Sequence, residues 1–570
     1  MRLQHVSVAL LLPLSETLWT KTEVPVATNH VAKRVAIIGA GAGGSSTAYH
    51  LSQFASEADI PTNITVFERS SYVGGRTTTV DVWSDPYTPV ELGGSIFVEV
   101  NHILVNASRD FNLTTSSLDD RPAPANTPDL GIWNGLEFIV TTHAEDGWWE
   151  KAKLLWRYGL APIKTNSLMK STVAKFLQMY EEPLFPWPSL NDAVEQIGLK
   201  ETVAVTGEQF LQKNGIGTKF SWEIIQASTR VNYASNIGLI HGLETMVCMA
   251  TSGAMSIQGG NWQIFANMLK FSATTHLDTT ISTVSKQPDG TYELTTSSGE
   301  TSTFDSVILA APFQFSKLII DPAPQRTPEQ IPYVNLHVTL FASPHVLDPA
   351  AFGLAPGEKV PQFVLTTLAP NENPGSDPNG VGKPGFFSVS IVGSGLNPLS
   401  TPKDRPEYIY KIFSPKPVDS EFLSKILGRH VSFNAKSDEG DADVDPNGPV
   451  SWIHRKLWQS YPYEYPRVTF EEIKLDGGLW YTSGIESFIS TMETSALMGK
   501  NVAKLVVNEW VKHEEEEQTK ETLKLTDREC THVPSFSPVH ERIKLDAGLG
   551  SIGSRISPLR CSSPPWMVMR

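Results

Sequence analysis

Two glycine turns and one acid carry the chemistry that this chain is equipped to perform. The first turn, Gly39-Ala40-Gly41-Ala42-Gly43-Gly44, is a G-x-G-x-x-G. Gly39 permits a tight turn out of a strand, Gly41 lets a diphosphate approach bare backbone, and Gly44 lets the following helix pack closely on the sheet. Gly43 and Ser45, at the start of that helix, belong to the same cradle, where free N–H groups and the helix dipole favour an anion. Glu68 stands 24 residues after Gly44, where a strand-end carboxylate can accept both hydroxyls of a ribose, and Arg69 follows it. This set binds a dinucleotide. The second turn, Gly74-Gly75-Arg76, places a guanidinium on close-approach backbone, where it can neutralise a diphosphate. A glycine pair with a basic residue soon after the acid favours FAD over NAD, which is the second choice of cofactor.

The elements that must position these residues are readable around them. The apolar run Val35 to Ile38 is a strand, Ser45 to Ala55 a helix, and Ile64 to Phe67 a second strand. A further glycine pair, Gly93-Gly94-Ser95, ends the segment Glu91 to Ser95 and suits a flat ring lying against backbone. Asn101 to Asn267 is mostly helical in pattern, with apolar residues at helical spacing from Trp148 to Tyr180, then Pro183, Pro186 and Pro188. Phe210 to Asn232 is a second helical stretch broken around Gly215-Ile216-Gly217. Thr279 to Val284 and Tyr292 to Thr296 flank the hairpin turn Asp289-Gly290, and Phe304 to Ala311 reads as one buried strand closed by Pro312. Val334 to Ala342 and Gly385 to Val392 are further strands. Gly484 to Val511 reads as a long closing helix, and the acidic, aperiodic tail from Lys512 as disordered.

Composition narrows the class. At 570 residues, two or more domains are expected. A net charge of −15 excludes nucleic acid as a partner. Cys248, Cys530 and Cys561 lie far apart without a C-x-x-C, so neither a metal site nor a disulfide framework is expected. Residues 1–30 read as a leader: Arg2 precedes an apolar run, Val6 to Leu14, of the length of a signal core. Together with N-glycosylation sequons at Asn63, Asn106 and Asn112, this points to the secretory route, to a vacuole, a lysosome or the exterior. No other apolar run is long enough to span a bilayer, which leaves peripheral contact as the mode of membrane association.

In its middle the chain carries Lys153-Leu154-Leu155-Trp156-Arg157-Tyr158-Gly159, Arg230-Val231-Asn232-Tyr233 and Gln258-Gly259-Gly260-Asn261. With the glycine turns, these resemble the prenylcysteine oxidase (prenylcysteine lyase) family, over about Val35 to Val507. The resemblance implies an α/β fold: a Rossmann-like FAD-binding domain of the amine-oxidase type with an inserted α+β substrate domain. The former takes residues 31–100, 272–325 and 470–511; the latter takes 101–271 and 326–469. It implies a flavin thioether oxidase that cleaves S-prenyl cysteine with oxygen to cysteine, a prenyl aldehyde and hydrogen peroxide, in the breakdown of prenylated proteins. The flavin carries the hard step, so no catalytic dyad is required.

On the same resemblance, Gly93, Gly94 and Ser95 lie near the flavin. Ile281 and Val284 stand beside the adenine or its ribose, and Thr491, Met492 and Glu493 open the last helix facing the flavin chain. Arg230, Asn232 and Tyr233 line the substrate side or hold the two domains together. Asn261 reads as the cap of a helix Trp262–Phe271, His241 and His337 as core histidines, and Trp148, Trp149 and Trp156 as core packing, with a membrane or prenyl contact as the other use. Two other functions fit the scaffold: an oxidase of another prenylated small molecule in a biosynthetic pathway, and a flavoprotein-like carrier without turnover. The intact glycines and Glu68 speak against the carrier.

Overall fold

The computed structural model describes residues 31–117, 124, 127–143, 155–372 and 380–530. The expected leader, Trp148, Trp149, the start of the Lys153 motif and Cys561 lie outside them. Contacts group the chain up to Val511 as one unit and from Lys512 as another.

A six-stranded sheet is at the centre of the first unit. The strand Lys33–Ile38 pairs in parallel with Thr62–Phe67 on one side and Ser306–Leu309 on the other. Leu479–Tyr481 and Thr274–His276 extend it in parallel, and Lys474–Asp476 closes one edge antiparallel. Both faces are covered at the centre of the sheet, where Val35 to Ile37 and Val307 to Leu309 are buried apolar runs. The period of two sorts them: Val35 and Ile37 face a cluster with Ala48, Leu51 and Ala55 of the helix Ala42–Glu57. Ala36 faces the other way, into a cluster with Val284, Tyr292 and Leu294 of a four-stranded sheet. The four strands that end beside the first glycine turn deliver Gly39, Glu68, Ala310 and Thr482 to one edge of the sheet. That edge, at the carboxyl ends of parallel strands, is where an open α/β sheet binds ligands.

The expected strand from Phe304 to Ala311 is two strands. Thr301–Phe304 belongs to the four-stranded sheet and Ser306–Leu309 to the six-stranded one. The change of sheet comes at Asp305, which holds Arg34 in an ion pair of 2.6 Å.

A second sheet has eight strands, in the order 440–441, 452–462, 333–343, 405–414, 388–397, 363–366, 130–133 and 138–142. Its two faces differ. Tyr410 and Ile412 pack with Leu423 and Ile426 of the helix Ser420–Leu427, whereas Ile409, Lys411 and Phe413 face a cavity. The region 101–267 was expected to be mostly helical, yet its strands Leu130–Trp133 and Phe138–Thr142 form a hairpin in this sheet. The overlooked signal is Asn134-Gly135, a hairpin dipeptide whose glycine sits at φ +90.

The closing helix also differs from expectation. It starts at Met492, preceded by a 3-10 turn at Ser483–Ser487, and continues to Cys530. The tail from Lys512 therefore begins as helix, not as disorder. Its Glu, Lys, Gln and Leu residues are strong helix formers, and extending an existing helix needs no new nucleus. Trp156, expected to pack in a core, is 92% exposed.

Candidate active site

A cavity of about 1280 Å³ opens at the strand ends of the six-stranded sheet and continues under the eight-stranded sheet. One end is backbone. Gly39, Gly41, Gly43, Gly74 and Gly75 line it, and the two glycine turns touch directly, with the Gly74 N–H donating to the Ala40 carbonyl at 2.9 Å. A Cβ on Gly44 would sit 1.9 Å from the Gly39 carbonyl oxygen, so this position admits no side chain. At Gly41 the same atom would meet nothing nearer than 3.9 Å, because that position faces open cavity. No side chain caps the helix Ala42–Glu57, whose N-cap is Gly41. Its first N–H groups thus face the cavity end without a side-chain acceptor.

Glu68 is 7% exposed and lines this end. Its Oε2 accepts from the Ala40 N–H and its Oε1 from the Ser70 N–H, each at 2.8 Å. Each oxygen keeps a lone pair for a further donor, such as a ribose hydroxyl. Ile281 and Arg69 also line the cavity, and Arg69 donates to the Phe315 carbonyl. The bare glycine wall, the uncapped helix and the fixed acid fit the diphosphate and ribose of FAD.

Several expected positions fall behind the wall. Gly44 and Ser45 do not line the cavity; the Ser45 hydroxyl donates to the Ala40 carbonyl and holds the turn. Val284 is fully buried in the core of the four-stranded sheet, three residues along the strand from Ile281. Arg76 lines the cavity but its charge already has a resident partner. It donates to Glu486 Oε1 and to the Ser460 carbonyl, each at 2.6 Å. Glu486 in turn accepts from Tyr333, and the pair holds the Arg76 guanidinium above its ordinary value despite burial. Glu486 thus already answers the Arg76 charge beside the cavity, which leaves a diphosphate only the donors that Glu486 and Ser460 do not take.

The Gly93-Gly94-Ser95 segment lies between Arg76 and the last helix. A Cβ on Gly93 would sit 1.8 Å from the Arg76 carbonyl oxygen, and one on Gly94 would sit 2.9 Å from Met492 Sδ. Thr491 and Met492 line the cavity; Glu493 does not. Glu493 is buried and accepts from the N–H groups of Ile103 and Leu104 and from the Tyr180 hydroxyl. It thus caps the helix His102–Asp110 from another chain segment, and burial raises its carboxyl to about 7. Asn261 is no side-chain cap of its helix, Trp262–Ser272. Its side chain accepts from the Ile257 N–H and donates to the Gly94 carbonyl, fixing the glycine pair from behind.

Sequence reasoning missed Lys411. Its ammonium is buried, faces the cavity and donates to the Glu91 carbonyl at 2.9 Å and to Ser95 Oγ at 2.8 Å. The available signal was a lone lysine inside the apolar strand run Ile409 to Phe413.

The far end of the cavity is apolar, with Ile132, Ile224, Leu336, Val338, Leu365 and Phe413 among its walls. Asn232 and Tyr233 reach it; Arg230 does not. Arg230 is wholly buried and donates to Thr366, Asn236 and the carbonyls of Gly380 and Val381. All these partners lie in the part of the chain assigned to the substrate domain, so Arg230 braces that part rather than lining the site or joining domains. Burial lowers its guanidinium to about 9. At the rim, Lys456 and Glu439 line the cavity as an ion pair of 3.1 Å.

His241 is a core histidine, with Nδ1 accepting from the Glu244 N–H at 3.1 Å. His337 is partly exposed on the eight-stranded sheet. The sequon residues Asn63, Asn106 and Asn112 are all exposed.

Comparison with known proteins agrees with this geometry. A family model described as prenylcysteine lyase matches residues 141–519, and one for an NAD(P)-binding Rossmann-like domain matches residues 37–107. Farnesylcysteine lyase of Arabidopsis thaliana is 28% identical, over 87% of this chain and 91% of that one. Prenylcysteine oxidase 1 of Homo sapiens is 27% identical, over 84% and 90%. A solved structure of a putrescine oxidase variant redesigned in its cofactor binding superposes with a TM-score of 0.51 at 13% identity, covering 84% of this chain and 99% of that one. It shares the fold.

Proposed function

The chain belongs to the prenylcysteine lyase family, and on that premise we propose that it cleaves the thioether of S-prenyl cysteine as an FAD-dependent oxidase. Water and oxygen are co-substrates, and the products are cysteine, a prenyl aldehyde and hydrogen peroxide. The observation that carries the reading is one continuous cavity with two unlike ends, a backbone cradle for a dinucleotide and an apolar chamber for a lipid chain.

When bound, FAD supplies the two-electron acceptor and the route to oxygen. The protein supplies the rest. Gly39, Gly41 and Gly43 let the diphosphate approach backbone, and Glu68 takes the ribose. Lys411, fixed by Glu91 and Ser95, sets an ammonium donor beside the Gly93-Gly94 face, where it favours a ring that gains electrons. Leu336, Val338 and Leu365 exclude water from the prenyl chain. The Lys456–Glu439 pair offers both signs of charge to a zwitterionic amino-acid head.

The localisation reading follows the secretory route to an acidic compartment. Residues 1–30 as a leader and the exposed sequons at Asn63, Asn106 and Asn112 support it.

The test is to purify the protein, record its visible spectrum and add farnesylcysteine. A flavin spectrum that bleaches without oxygen, and yields thiol and peroxide in air, is the expected result. A flavin that ignores farnesyl- and geranylgeranyl-cysteine would move the substrate to another prenylated molecule. A protein that takes up no flavin would overturn the enzyme.

A further inference from the structure

Behind the apolar chamber lie three groups that the proposed reaction does not use. His241, Glu244 and Glu464 present ligand-type atoms within 4.8 Å of one another, and all three side chains are buried. Neither carboxylate makes a hydrogen bond of ordinary geometry among the described residues, although Tyr233 and the Ser490 backbone lie within reach of Glu244. His241 Nε2 lies 3.5 Å from Glu464 Oε2. Two bare carboxylates at this separation in an apolar interior cannot both stay ionised.

The trio has the composition of a metal site, but the imidazole rules against one. Nδ1 of His241 accepts the Glu244 N–H that starts the helix Gly242–Val247, so the neutral ring carries its proton on Nε2. That nitrogen lies 3.5 Å from Glu464 Oε2 and, carrying the proton, has no lone pair for a cation. Burial holds the ring neutral, with its value lowered to about 3.

The groups facing the pair come from several segments. Tyr233 and the Ser490 backbone lie against Glu244, and Cys248 lies beside both acids. Arg467 and Glu486 act on Glu464, and Arg467 also faces His241. Arg467 is the only cation among these groups. One cation against two carboxylates leaves one negative charge answered and one proton to be held. Burial raises Glu244 to about 8 and Glu464 well above its ordinary value.

A route joins the pair to the cavity. Tyr233, Tyr461 and Ser490 all line the cavity, and the Tyr233 hydroxyl donates to the Ser490 carbonyl at 3.0 Å. The Tyr233 and Tyr461 rings lie 4.9 Å apart, and both pack with Cys248.

We propose that Glu244 and Glu464 share one proton at rest and that this pair, reached through Tyr233, takes up the proton released when water attacks the oxidised substrate. This rests on the thioether oxidase reading. Loss of a hydride from the carbon next to sulfur, to the flavin, leaves a cation shared with sulfur. The oxygen of water forms a bond to that carbon, and one water proton passes to the ionised carboxylate of the pair. The carbon–sulfur bond then breaks, the remaining hydroxyl proton goes to the departing sulfur, and aldehyde and thiol form. The stored proton leaves when oxygen takes the two electrons and two protons to become peroxide. Glu244 and Glu464 are proton-holding groups and do not touch the substrate.

The test uses the flavin-loaded protein. Infrared spectroscopy at pH 6.5 should show, besides any band from Glu493, a buried protonated carboxyl at rest that is lost in both Glu244→Gln and Glu464→Gln, since the remaining acid can then ionise beside Arg467. Anaerobic reduction by farnesylcysteine should strengthen that band, and an indicator dye should see no proton released. Glu244→Gln should release one proton per flavin reduced and lose about 10²-fold in kcat with KM little changed. Tyr233→Phe, which leaves the pair in place, should keep the resting band and release the proton. A resting protein without the band, a wild-type protein that releases a full proton, or a stoichiometric metal lost on Glu464→Gln would each overturn the proposal. Flavin that does not bleach while the resting band is present would sink the relay together with the substrate reading, and leave the shared proton standing.

Discussion

The two ends of the cavity are built by opposite means. The dinucleotide end is backbone: Gly41, Gly74 and Gly75 bring two turns into contact, and Glu68 is fixed by two N–H groups. The chamber end is side chain, and its walls come from strands far apart in the sequence, including Leu130–Trp133, Phe363–Thr366 and Arg405–Ser414. A backbone site tolerates almost no substitution, because a Cβ meets either neighbouring backbone, as at Gly44, or the space left for the ligand, as at Gly41. A side-chain site can change its specificity while the fold stands. The largest predicted effect tests the first half of that contrast. Gly44→Ala puts a Cβ 1.9 Å from the Gly39 carbonyl oxygen, so the protein should lose its flavin or fail to fold. The flavin-to-protein absorbance ratio measures this, and normal flavin content in a soluble variant would break the comparison.

Legibility follows the same division. Gly39 to Gly44 and Glu68 sit within 30 residues of one another, and each has a local geometric reason to be glycine or acid, so a reader of the sequence can bring them to one place. Lys411 could not be placed on the cavity without knowing that Arg405–Ser414 is a central strand with its odd residues inward. Glu244 and Glu464 share a site only because the His241 N–H donates to the Glu464 carbonyl, a tertiary contact with no sequence signature. Arg76 and Arg230 show the converse: their motifs were visible, but their partners were not. Glu486 and the Gly380 and Val381 carbonyls decided what each guanidinium does.

The buried carboxyls predict the next largest effect. Glu244, Glu464 and Glu493 have values raised by burial, so the folded state holds protons that the unfolded chain gives up near its ordinary carboxylate value. Their contribution is fully present below that ordinary value and is lost as pH rises through about 7 to 8. His50 and His241, lowered by burial to about 4 and about 3, oppose this, but only as pH falls below the ordinary histidine range. Each extra proton held by the fold makes stability fall by about 1.4 kcal/mol per pH unit. The melting temperature should therefore fall from pH 6 to pH 8, and Glu464→Gln should flatten that slope. A melting temperature that rises over this range would remove the contrast between neutralised and bare buried charge.

Arg76–Glu486 is the neutralised counterpart. Glu486→Gln leaves the guanidinium beside the cavity with a neutral partner. The cost should be about 2 kcal/mol, below that of a fully buried pair because the Arg76 side chain is 34% exposed. Chemical denaturation measures it. Flavin affinity should drop only slightly, since Glu68 and the glycine wall are untouched. A large loss of flavin with unchanged stability would return Arg76 to the diphosphate.

The smallest effect is the sharpest test of the chamber. Leu365 lines it on a strand whose next residue, Thr366, faces away and accepts from Arg230. Leu365→Trp fills chamber volume without reaching the glycine end, so flavin content and melting temperature should be unchanged. KM for geranylgeranyl-cysteine should rise about tenfold, a difference of about 1.4 kcal/mol, and KM for farnesyl-cysteine should rise less because its chain is shorter. Steady-state kinetics on the two substrates read the ratio directly. An equal rise for both would mean that the prenyl chain does not extend past Leu365, and that specificity for length is set nearer to the Gly93-Gly94 face.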